Sequence, residues 1–358
     1  MSEEFRRRMD ELSTGAPDPD DQREQVLTKA RRRARMGMVM GGGIALAVSL
    51  TAVLAVGAVL NLPRHTAIGP APSPTGTVVS KASRSGAAPV AATGEIAFWS
   101  DSMVGGSAHL MLIEADGTRR HELGHLSIST SRVSWSPDGT QAVFDHGISE
   151  GKGQLETIQE ATGGMRPIFA EADPQAPDWS PNGQRIVFAT DSATLFTMPA
   201  AGATSGTPVR EPAPGEFLKG SWPTWSPDGA AIAYVDDRGD VRVVDVDGSA
   251  PPITIFDVGR ALSLDWGDIG IVVSAFTSGS DASLYLVDPS GARSPQQLTQ
   301  LPGDEFDPSI SPDGGFVAFG SNDGEQTDIY VLDIATGAVD RLTDDARQDR
   351  SPAWRPTS

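Results

Sequence analysis

The chain has 358 residues, no cysteine and a formal net charge of −19 at pH 7, from 28 basic and 47 acidic side chains. A surface of this sign repels polyanions, so the composition argues against a nucleic-acid partner and leaves cations, basic proteins and neutral polymers. Without cysteine, the fold has to be stabilised by its own apolar core instead of disulfides.

Residues 1–36 are predicted to form a short helical cytoplasmic head. A first helix is predicted near residues 3–12, and a second follows Pro19 and extends through Arg35. Two interpretations stay open: the head only fixes the membrane topology, or residues 1–35 contact a cytoplasmic regulator such as a transcription factor. The sequence has no cysteine–histidine zinc motif of the anti-sigma type, which favours the first interpretation.

Residues 37–62 are predicted to be one transmembrane helix. The segment contains no charged residue, and as a helix it is long enough to cross about 30 Å of hydrocarbon. Five basic residues lie at positions 29–35, whereas only Arg64 follows closely, so the positive-inside rule places the N-terminus in the cytoplasm. A cleaved signal peptide is the alternative, but the leading region is long and no small-x-small cleavage site fits well before Pro63. We therefore expect a single-pass cell-membrane protein with an uncleaved signal-anchor.

Residues 63–93 are rich in Pro, Ser, Ala, Thr and Gly and show no apolar period. This composition is typical of a flexible linker. We expect a stalk that holds the following domain, residues 94–358, off the extracytoplasmic surface of the membrane.

A pentapeptide recurs along residues 94–358 at a nearly constant interval. Copies that read Trp-Ser-Pro-Asp/Asn-Gly begin at Trp135, Trp179 and Trp225, and degraded copies begin at Trp266, Ile310 and Trp354. The steps between copies are 41 to 46 residues long, which is the period of four-stranded propeller blades. Ser-Pro-Asp-Gly fits a type I β-turn, so each copy is predicted to join two strands of one antiparallel sheet.

A second family of strands also occurs six times, which predicts six blades. Its members begin at Leu110, Leu155, Leu195, Val241, Leu284 and Ile329. The first blade has no pentapeptide before its strand at residues 95–99, and the chain ends on an unmatched strand around Trp354. We expect this strand to become the inner strand of blade one and to close the ring, which leaves no open sheet edge there. The predicted fold class is all-β: a six-bladed β-propeller closed by the C-terminal strand, preceded by the transmembrane helix and the head.

The repeats resemble those of the TolB-type six-bladed β-propeller family, whose blades carry the Trp-Ser-Pro-Asp-Gly turn. The resemblance covers residues 94–358. Together with the predicted transmembrane helix, it indicates a membrane-anchored bacterial member of the family. Propellers of this kind serve as binding platforms, accessory domains of peptidases and sensor ectodomains, so the resemblance is specific for the fold and weak for function. The N-terminal partner-binding domain of the family's namesake has no counterpart in this sequence.

The string His121-Glu122-Leu123-Gly124-His125 matches the zinc-peptidase motif H-E-x-x-H. On a helix this spacing places both histidines on one face to hold zinc, and the glutamate acts as general base. Here the string lies where blade one needs its fourth strand, and the extended motif's next glycine and histidine positions hold Ile128 and Ser131. We therefore expect no catalytic residue, metal ligand or cofactor. A zinc-dependent hydrolase that uses His121 and His125 is the alternative.

The candidate ligand-binding residues are charged side chains on the face opposite the Ser-Pro-Asp-Gly turns. In a four-stranded meander, that face collects the loops after each second strand and the loops between blades. The acidic candidates are Asp101, Asp145, Asp191, Asp236, Asp237, Asp304, Glu305, Asp307 and Asp323, and the basic ones are Arg132, Lys219 and Arg350. Two interpretations stay open: the carboxylates cap their own turns, or they converge on the channel mouth and bind a cation or a basic partner.

These observations favour a non-catalytic function. The preferred hypothesis is a membrane-anchored propeller that binds a protein, peptide or envelope polymer outside the cytoplasm. Signalling through the cytoplasmic head is a further possibility. The zinc-dependent hydrolase on the same anchor is kept as the alternative.

Overall fold

The computed structural model describes residues 92–101, 107–126, 132–149, 152–209, 217–277, 279–322 and 326–357. The predicted head, the predicted transmembrane helix and the predicted stalk up to residue 91 lie outside the described residues. Within the described ranges, no helix has the length and apolar character that a membrane crossing requires.

The described residues form six four-stranded antiparallel sheets, which confirms the prediction of a six-bladed β-propeller. Blade one contains β1 (Glu95–Asp101), β2 (Ala108–Glu114) and β3 (His121–Leu126); blade two contains β4 (Val133–Trp135), β5 (Gln141–Ser149), β6 (Lys152–Gln159) and β7 (Met165–Phe169). Blade three contains β8 (Gln175–Trp179), β9 (Arg185–Ala189), β10 (Leu195–Pro199) and β11 (Thr207–Pro208); blade four contains β12 (Ser221–Trp225), β13 (Ala231–Val235), β14 (Val241–Asp245) and β15 (Ile253–Phe256). Blade five contains β16 (Ala261–Gly267), β17 (Gly270–Ala275), β18 (Ser283–Val287) and β19 (Gln296–Gln297); blade six contains β20 (Asp304–Ile310), β21 (Phe316–Asn322), β22 (Thr327–Asp333) and β23 (Val339–Arg341).

The last strand, β24 (Gln348–Trp354), closes the ring as predicted. It is the inner strand of blade one, in the order β24-β1-β2-β3. Ile96 lies opposite Trp354, and Ala97 lies opposite Ala353 in this antiparallel pair. The two ends of the described propeller are therefore held in one sheet, and the seam has no unpaired inner edge.

The pentapeptide forms the expected type I turn between the first and second strands of a blade. In blade two, the Gly139 N–H donates to the Ser136 carbonyl at 2.8 Å, and Gly139 has a φ of +65°. The Asp138 carboxylate accepts the Ser136 hydroxyl at 2.6 Å and the Thr140 N–H at 3.1 Å. These hydrogen bonds lower the pKa of Asp138. Serine, aspartate and glycine are required because each supplies one part of this closed turn.

The core lies within and between the blades. In four blades the second strand holds an aromatic residue nine positions after the first pentapeptide residue. These residues are Phe144, Phe188, Tyr234 and Phe319, all essentially inaccessible to solvent. In blade five Ala275 occupies this position, as the sequence indicates, and is also buried. Trp99 of blade one packs edge-on against Phe144 of blade two, with 5.3 Å between ring centroids. Aromatic packing of this kind joins neighbouring blades.

Candidate functional site

The six inner strands surround a central cavity of about 420 Å³. The face that carries the pentapeptide turns, here called the turn face, contributes prolines to its lining: Pro137, Pro181, Pro227, Pro312 and Pro356. Asp268 stands at the sixth equivalent position, two residues after Trp266. We call these five prolines and Asp268 the mouth. Four of the prolines and Asp268 are exposed, so the cavity reaches the surface on the turn face.

Arg132 crosses the central cavity. Its Nη2 donates to Asp178 and to Asp265, each at 3.3 Å, and its Nη1 donates to the Pro223 carbonyl at 3.1 Å. Arg132 precedes β4 in blade two, whereas these three partners belong to blades three, five and four. Because blades two and five face each other in a ring of six, the guanidinium reaches across the channel to the opposite wall.

The Asp178 carboxylate is the most heavily hydrogen-bonded acid in the cavity wall. It accepts the Ser134 and Thr224 hydroxyls, each at 3.0 Å, and the Trp225 N–H at 2.8 Å. Together with Arg132, these donors fill its acceptor sites, which number about four. Asp178 therefore links blades two, three and four.

The contact of Asp178 with Trp225 is one of a series between neighbouring blades. In each case the side chain just before the first pentapeptide residue of one blade accepts the backbone N–H of the first pentapeptide residue of the next blade. The pairs are Ser134 with Trp179, Asp178 with Trp225, Asp265 with Ile310 and Ser309 with Trp354, at 2.8 to 3.0 Å. These polar contacts join the blades around the cavity.

Asp307 brings a third acid to the cavity wall from β20. Its carboxylate accepts the Ser351 hydroxyl at 2.8 Å, and its N–H donates to the Ser263 hydroxyl at 2.9 Å. Burial raises the pKa of Asp307 and of Asp265. The Arg132 charge offsets part of this effect at Asp265, and the Asp178 charge adds to it.

The inner strands are irregular at the level of Asp307. Four inner-strand residues adopt left-handed backbone conformations, each three residues before the end of its strand: Ala176, Trp222, Asp307 and Ser351, with φ between 48° and 52°. The pairing register of β20 with β21 shifts between Phe306 and Ser309. A non-glycine residue with such a φ is uncommon, and a β-bulge re-aims the side chains around it.

Of the charged candidates chosen from the sequence, Arg132 and Asp307 line the cavity. Asp145 lies within β5, not after it, and its carboxylate accepts the Arg132 N–H at 3.3 Å. Arg350 in β24 pairs with Asp101 at the end of β1. Burial raises the pKa of Asp101, and the charge of Arg350 opposes this. The last two side chains join the closing strand to its neighbour.

The structure does not bring Glu305 to the channel mouth, where the second interpretation placed it. Glu305 is fully buried and accepts hydrogen bonds from the Thr299 hydroxyl, the Leu284 N–H at 3.1 Å and the Leu301 N–H at 2.8 Å. Burial outweighs these donors and raises the pKa of Glu305 to about 7. The neighbouring Asp304 accepts the Ala282 N–H at 2.9 Å. Both acids therefore connect blade six to blade five.

Three of the remaining acidic candidates, Asp191, Asp236 and Asp237, lie in the described part of the chain. Asp236 caps its own turn by accepting the Arg238 and Asp240 N–H groups at 2.9 and 3.0 Å, as the first interpretation expected. Asp191 and Asp237 are exposed, and Asp323 lies outside the described residues. Lys219 donates to the Ser192 carbonyl at 3.2 Å and to the Thr194 hydroxyl at 2.7 Å. The contacts of Asp236 are local to its own turn, and a role of these candidates in ligand binding stays a prediction.

Three acids of the cavity, Asp178, Asp265 and Asp268, were missed by the sequence reasoning. A signal was present, because the residue before the Trp position is polar in five of the six copies: Ser134, Asp178, Thr224, Asp265 and Ser309. A polar residue at a regularly spaced inner-strand position indicates a shared structural contact. Asp268 was visible as the acid that replaces proline in the degraded copy of blade five.

The H-E-x-x-H string forms β3, as expected, not the helix that a zinc site needs. Residues four apart in a strand are separated by roughly 13 Å, and the two histidines have different partners. His121 Nδ1 lies 3.1 Å from the Arg119 carbonyl, whereas Glu122 lies between His109 and His125, at 3.1 and 3.3 Å from their Nδ1 atoms. Across the described part of the chain, no group of three or more His, Cys, Asp or Glu side chains is arranged to hold a metal ion.

Comparison with known proteins shows which propellers this one resembles. No protein-family model matches the chain. A TolB homologue of Chlorobium luteolum is 29% identical over 118 residues, which are 32% of this chain and 27% of that protein. The crystal structure of TolB from Acinetobacter baumannii superposes with a TM-score of 0.62 at 20% identity, and the alignment covers 74% of this chain and 67% of that chain. In sequence and in fold, this propeller is similar to that of TolB.

The chain is also similar to part of a protein with an enzyme's name. The uncharacterized peptidase YuxL of Bacillus subtilis is 26% identical over 221 residues, which are 57% of this chain and 32% of that protein. The matched segments thus span 27% and 32% of the lengths of the two curated relatives. The likeness in sequence and fold concerns the propeller.

Proposed function

We propose that the TolB-type propeller is a non-catalytic binding module for a protein or peptide, and that its ligand enters the central cavity from the turn face. The main observation behind this proposal is the cavity of about 420 Å³, which Arg132 crosses. Ligand pockets commonly measure about 300–1,000 Å³ and combine apolar walls with a few placed polar groups. Here tryptophans and prolines provide the apolar walls, and aspartates provide the polar groups.

The polar groups of the cavity support binding over catalysis. No histidine is among the described residues that line it. The Ser134 hydroxyl donates to Asp178 and accepts the Trp179 N–H at 3.0 Å, so it is committed to the contacts between blades. A nucleophile needs an adjacent base that can take its proton. The hydroxyls and carboxylates of this wall pair with one another and with backbone N–H groups, and these contacts join neighbouring blades.

The proposal includes a membrane tether, which rests on the sequence alone. Residues 37–62 anchor the chain, residues 63–93 form the stalk, and the propeller binds an extracytoplasmic protein, peptide or envelope polymer. Residues 1–35 then lie in the cytoplasm, where they report occupancy of the propeller to a regulator. Protease added outside intact cells should degrade the propeller. A protected propeller would contradict this topology.

Site-specific crosslinking in intact cells tests the binding site. A photo-reactive phenylalanine derivative is placed in the full-length chain at position 268 in the mouth, and in a matched variant at position 253. Ile253 is the control because it is exposed, at 48%, on β15 of blade four. We expect a discrete crosslinked adduct from position 268 and none from position 253. No adduct from position 268, or the same adduct from both positions, contradicts the proposal.

A further inference from the structure

The ionisable side chains that line the central cavity are unequal in charge. Among the described residues they are four carboxylates, Asp178, Asp265, Asp268 and Asp307, and one guanidinium, Arg132. Asp178 and Asp265 share the Arg132 guanidinium. The lining therefore contains more negative charge than its own cation balances. In a partly buried cavity this imbalance carries a larger electrostatic cost than it would in bulk water.

Unused acceptor capacity lies in blades five and six. Asp265 accepts Arg132 on Oδ1 and the Ile310 N–H on Oδ2. Asp307 accepts the Ser351 hydroxyl on Oδ2, and the Ser263 hydroxyl and the charges of Arg350 and Arg132 also act on its carboxylate. An ionised carboxylate offers about four acceptor sites, so both can take further donors. Asp178 differs because its four donors already fill it.

One of the six mouth residues, Asp268, is an acid. Five of the six mouth positions hold proline, and the sixth, in blade five, holds Asp268. Asp268 follows β16, the same inner strand that contains Asp265. The turn is also shorter here, since Gly267 pairs directly with Gly270 and only Asp268 and Ile269 lie between them. Blade five thus presents one carboxylate at the surface and a second in the cavity wall.

We propose that the cavity receives a lysine or arginine side chain of the partner polypeptide, which passes Asp268 and pairs with Asp265 and Asp307. The inference rests on the proposed binding function and specifies its ligand. A long basic side chain fits this path because its apolar stem packs against prolines and tryptophan while its charged end reaches the acids. Arg132 shows that these walls accept a guanidinium, and it limits how deep the incoming group can go.

A peptide-binding measurement on the full-length protein tests the inference. The probes are pentalysine and the same peptide acetylated at every Nε, and the signal is the fluorescence of the tryptophans that line the cavity, such as Trp225 and Trp266. Pentalysine should bind, and the acetylated peptide should bind at least about tenfold more weakly, because a charged hydrogen bond contributes about 1.5–3 kcal/mol. Equal binding of the two peptides overturns the inference.

Charge-neutralising variants locate the binding site. Asp265→Asn and Asp307→Asn should each weaken pentalysine binding about tenfold, and Asp268→Asn should weaken it by a smaller factor because Asp268 is exposed. The matched control is Asp247→Asn, which removes the same charge from an exposed turn of blade four. A control that weakens binding as much as Asp265→Asn indicates general surface attraction and overturns the inference. If Asp265→Asn or Asp307→Asn fails to fold, Asp268→Asn still tests the inference, because Asp268 is exposed and its loss should also weaken pentalysine binding.

The two proposals fail in different ways. If the adduct at position 268 forms in cells and survives Asp265→Asn and Asp307→Asn, the binding function stands and the selection of a basic side chain is overturned. If position 268 gives no adduct and pentalysine does not bind, both proposals are overturned. If the adduct forms and is lost in Asp265→Asn but retained in Asp247→Asn, both are supported.

Discussion

Replacing Asp178 by alanine should destabilise the propeller strongly, although Asp178 belongs to no regular turn or apolar core. The substitution removes the acceptor of the Trp225 N–H at 2.8 Å and one of the two carboxylates that hold Arg132. A buried N–H without its acceptor costs about 1–3 kcal/mol. Removing one partner of a buried ion pair costs about 3–5 kcal/mol. Arg132 still pairs with Asp265 in this variant. We therefore expect the free energy of unfolding to fall by about 3–5 kcal/mol in total.

Urea unfolding of the full-length chain, followed by tryptophan fluorescence, measures this change. The matched control is Asp228→Ala, because exposed Asp228 accepts the Ser226 hydroxyl and the Ala230 N–H at 2.6 and 2.9 Å within one turn. We expect the control to cost about 1 kcal/mol. The double variant Arg132→Ala, Asp178→Ala should be more stable than the sum of the single changes predicts, by at least about 1 kcal/mol. Additive effects, or equal costs for Asp178→Ala and Asp228→Ala, would refute the reasoning.

Three further predictions concern other parts of the described propeller. Burial raises the pKa of Glu305 from 4.5 to about 7, so the folded state holds this proton more tightly than the unfolded chain, and stability is lost as the pH rises between these values. Urea unfolding at pH 4.5 and pH 8 gives the loss of unfolding free energy between these two values, and this loss should be smaller by about 3 kcal/mol in Glu305→Gln. The same loss in the variant and in the unchanged protein contradicts the prediction. Gly139→Ala should lower the melting temperature more than Gly183→Ala. Both glycines have positive φ, but a Cβ on Gly139 would lie 2.6 Å from the Pro356 carbonyl oxygen, whereas one on Gly183 meets nothing closer than 3.8 Å; equal shifts contradict this. Zinc content after dialysis should be well below one per chain and unchanged in His121→Ala, and stoichiometric zinc lost in that variant would favour the hydrolase.

The fold could be predicted from the sequence because each step depends on local chemistry. The turn needs Ser136, Asp138 and Gly139 in one short stretch, and its repetition every 41 to 46 residues sets the number of blades. The closing strand could be predicted because blade one lacks an inner strand of its own and the chain ends on a strand that no other blade uses. None of these inferences required knowledge of which residues meet across the ring.

The cavity could not be predicted in the same way, because its contacts join residues far apart in the chain. Arg132 meets Asp178, 46 residues away, and Asp265, 133 residues away. The alternation of a regular strand also misleads at one point. Glu305 and Asp307 are two residues apart in β20 and would share a face in a regular strand, yet the first is fully buried and the second lines the cavity. The bulge at the left-handed Asp307 redirects the strand, and nothing local in the sequence indicates it.

Departures from the repeat determine the chemistry of this cavity. The position three residues before the first pentapeptide residue holds Arg132, Ala176, Trp222, Ser263, Asp307 and Ser351 in the six copies. Only the first of these six is a cation, and it crosses the channel to pair with two acids. At the mouth, too, one blade departs from the repeat: five positions hold proline and the sixth holds Asp268. A residue that the repeat needs is present in most blades and keeps the architecture, whereas a residue that differs in one blade breaks the sixfold symmetry. A ligand that binds in one orientation needs such asymmetry, so the singular residues of the inner strands are better candidates for specificity than the loops opposite the turns.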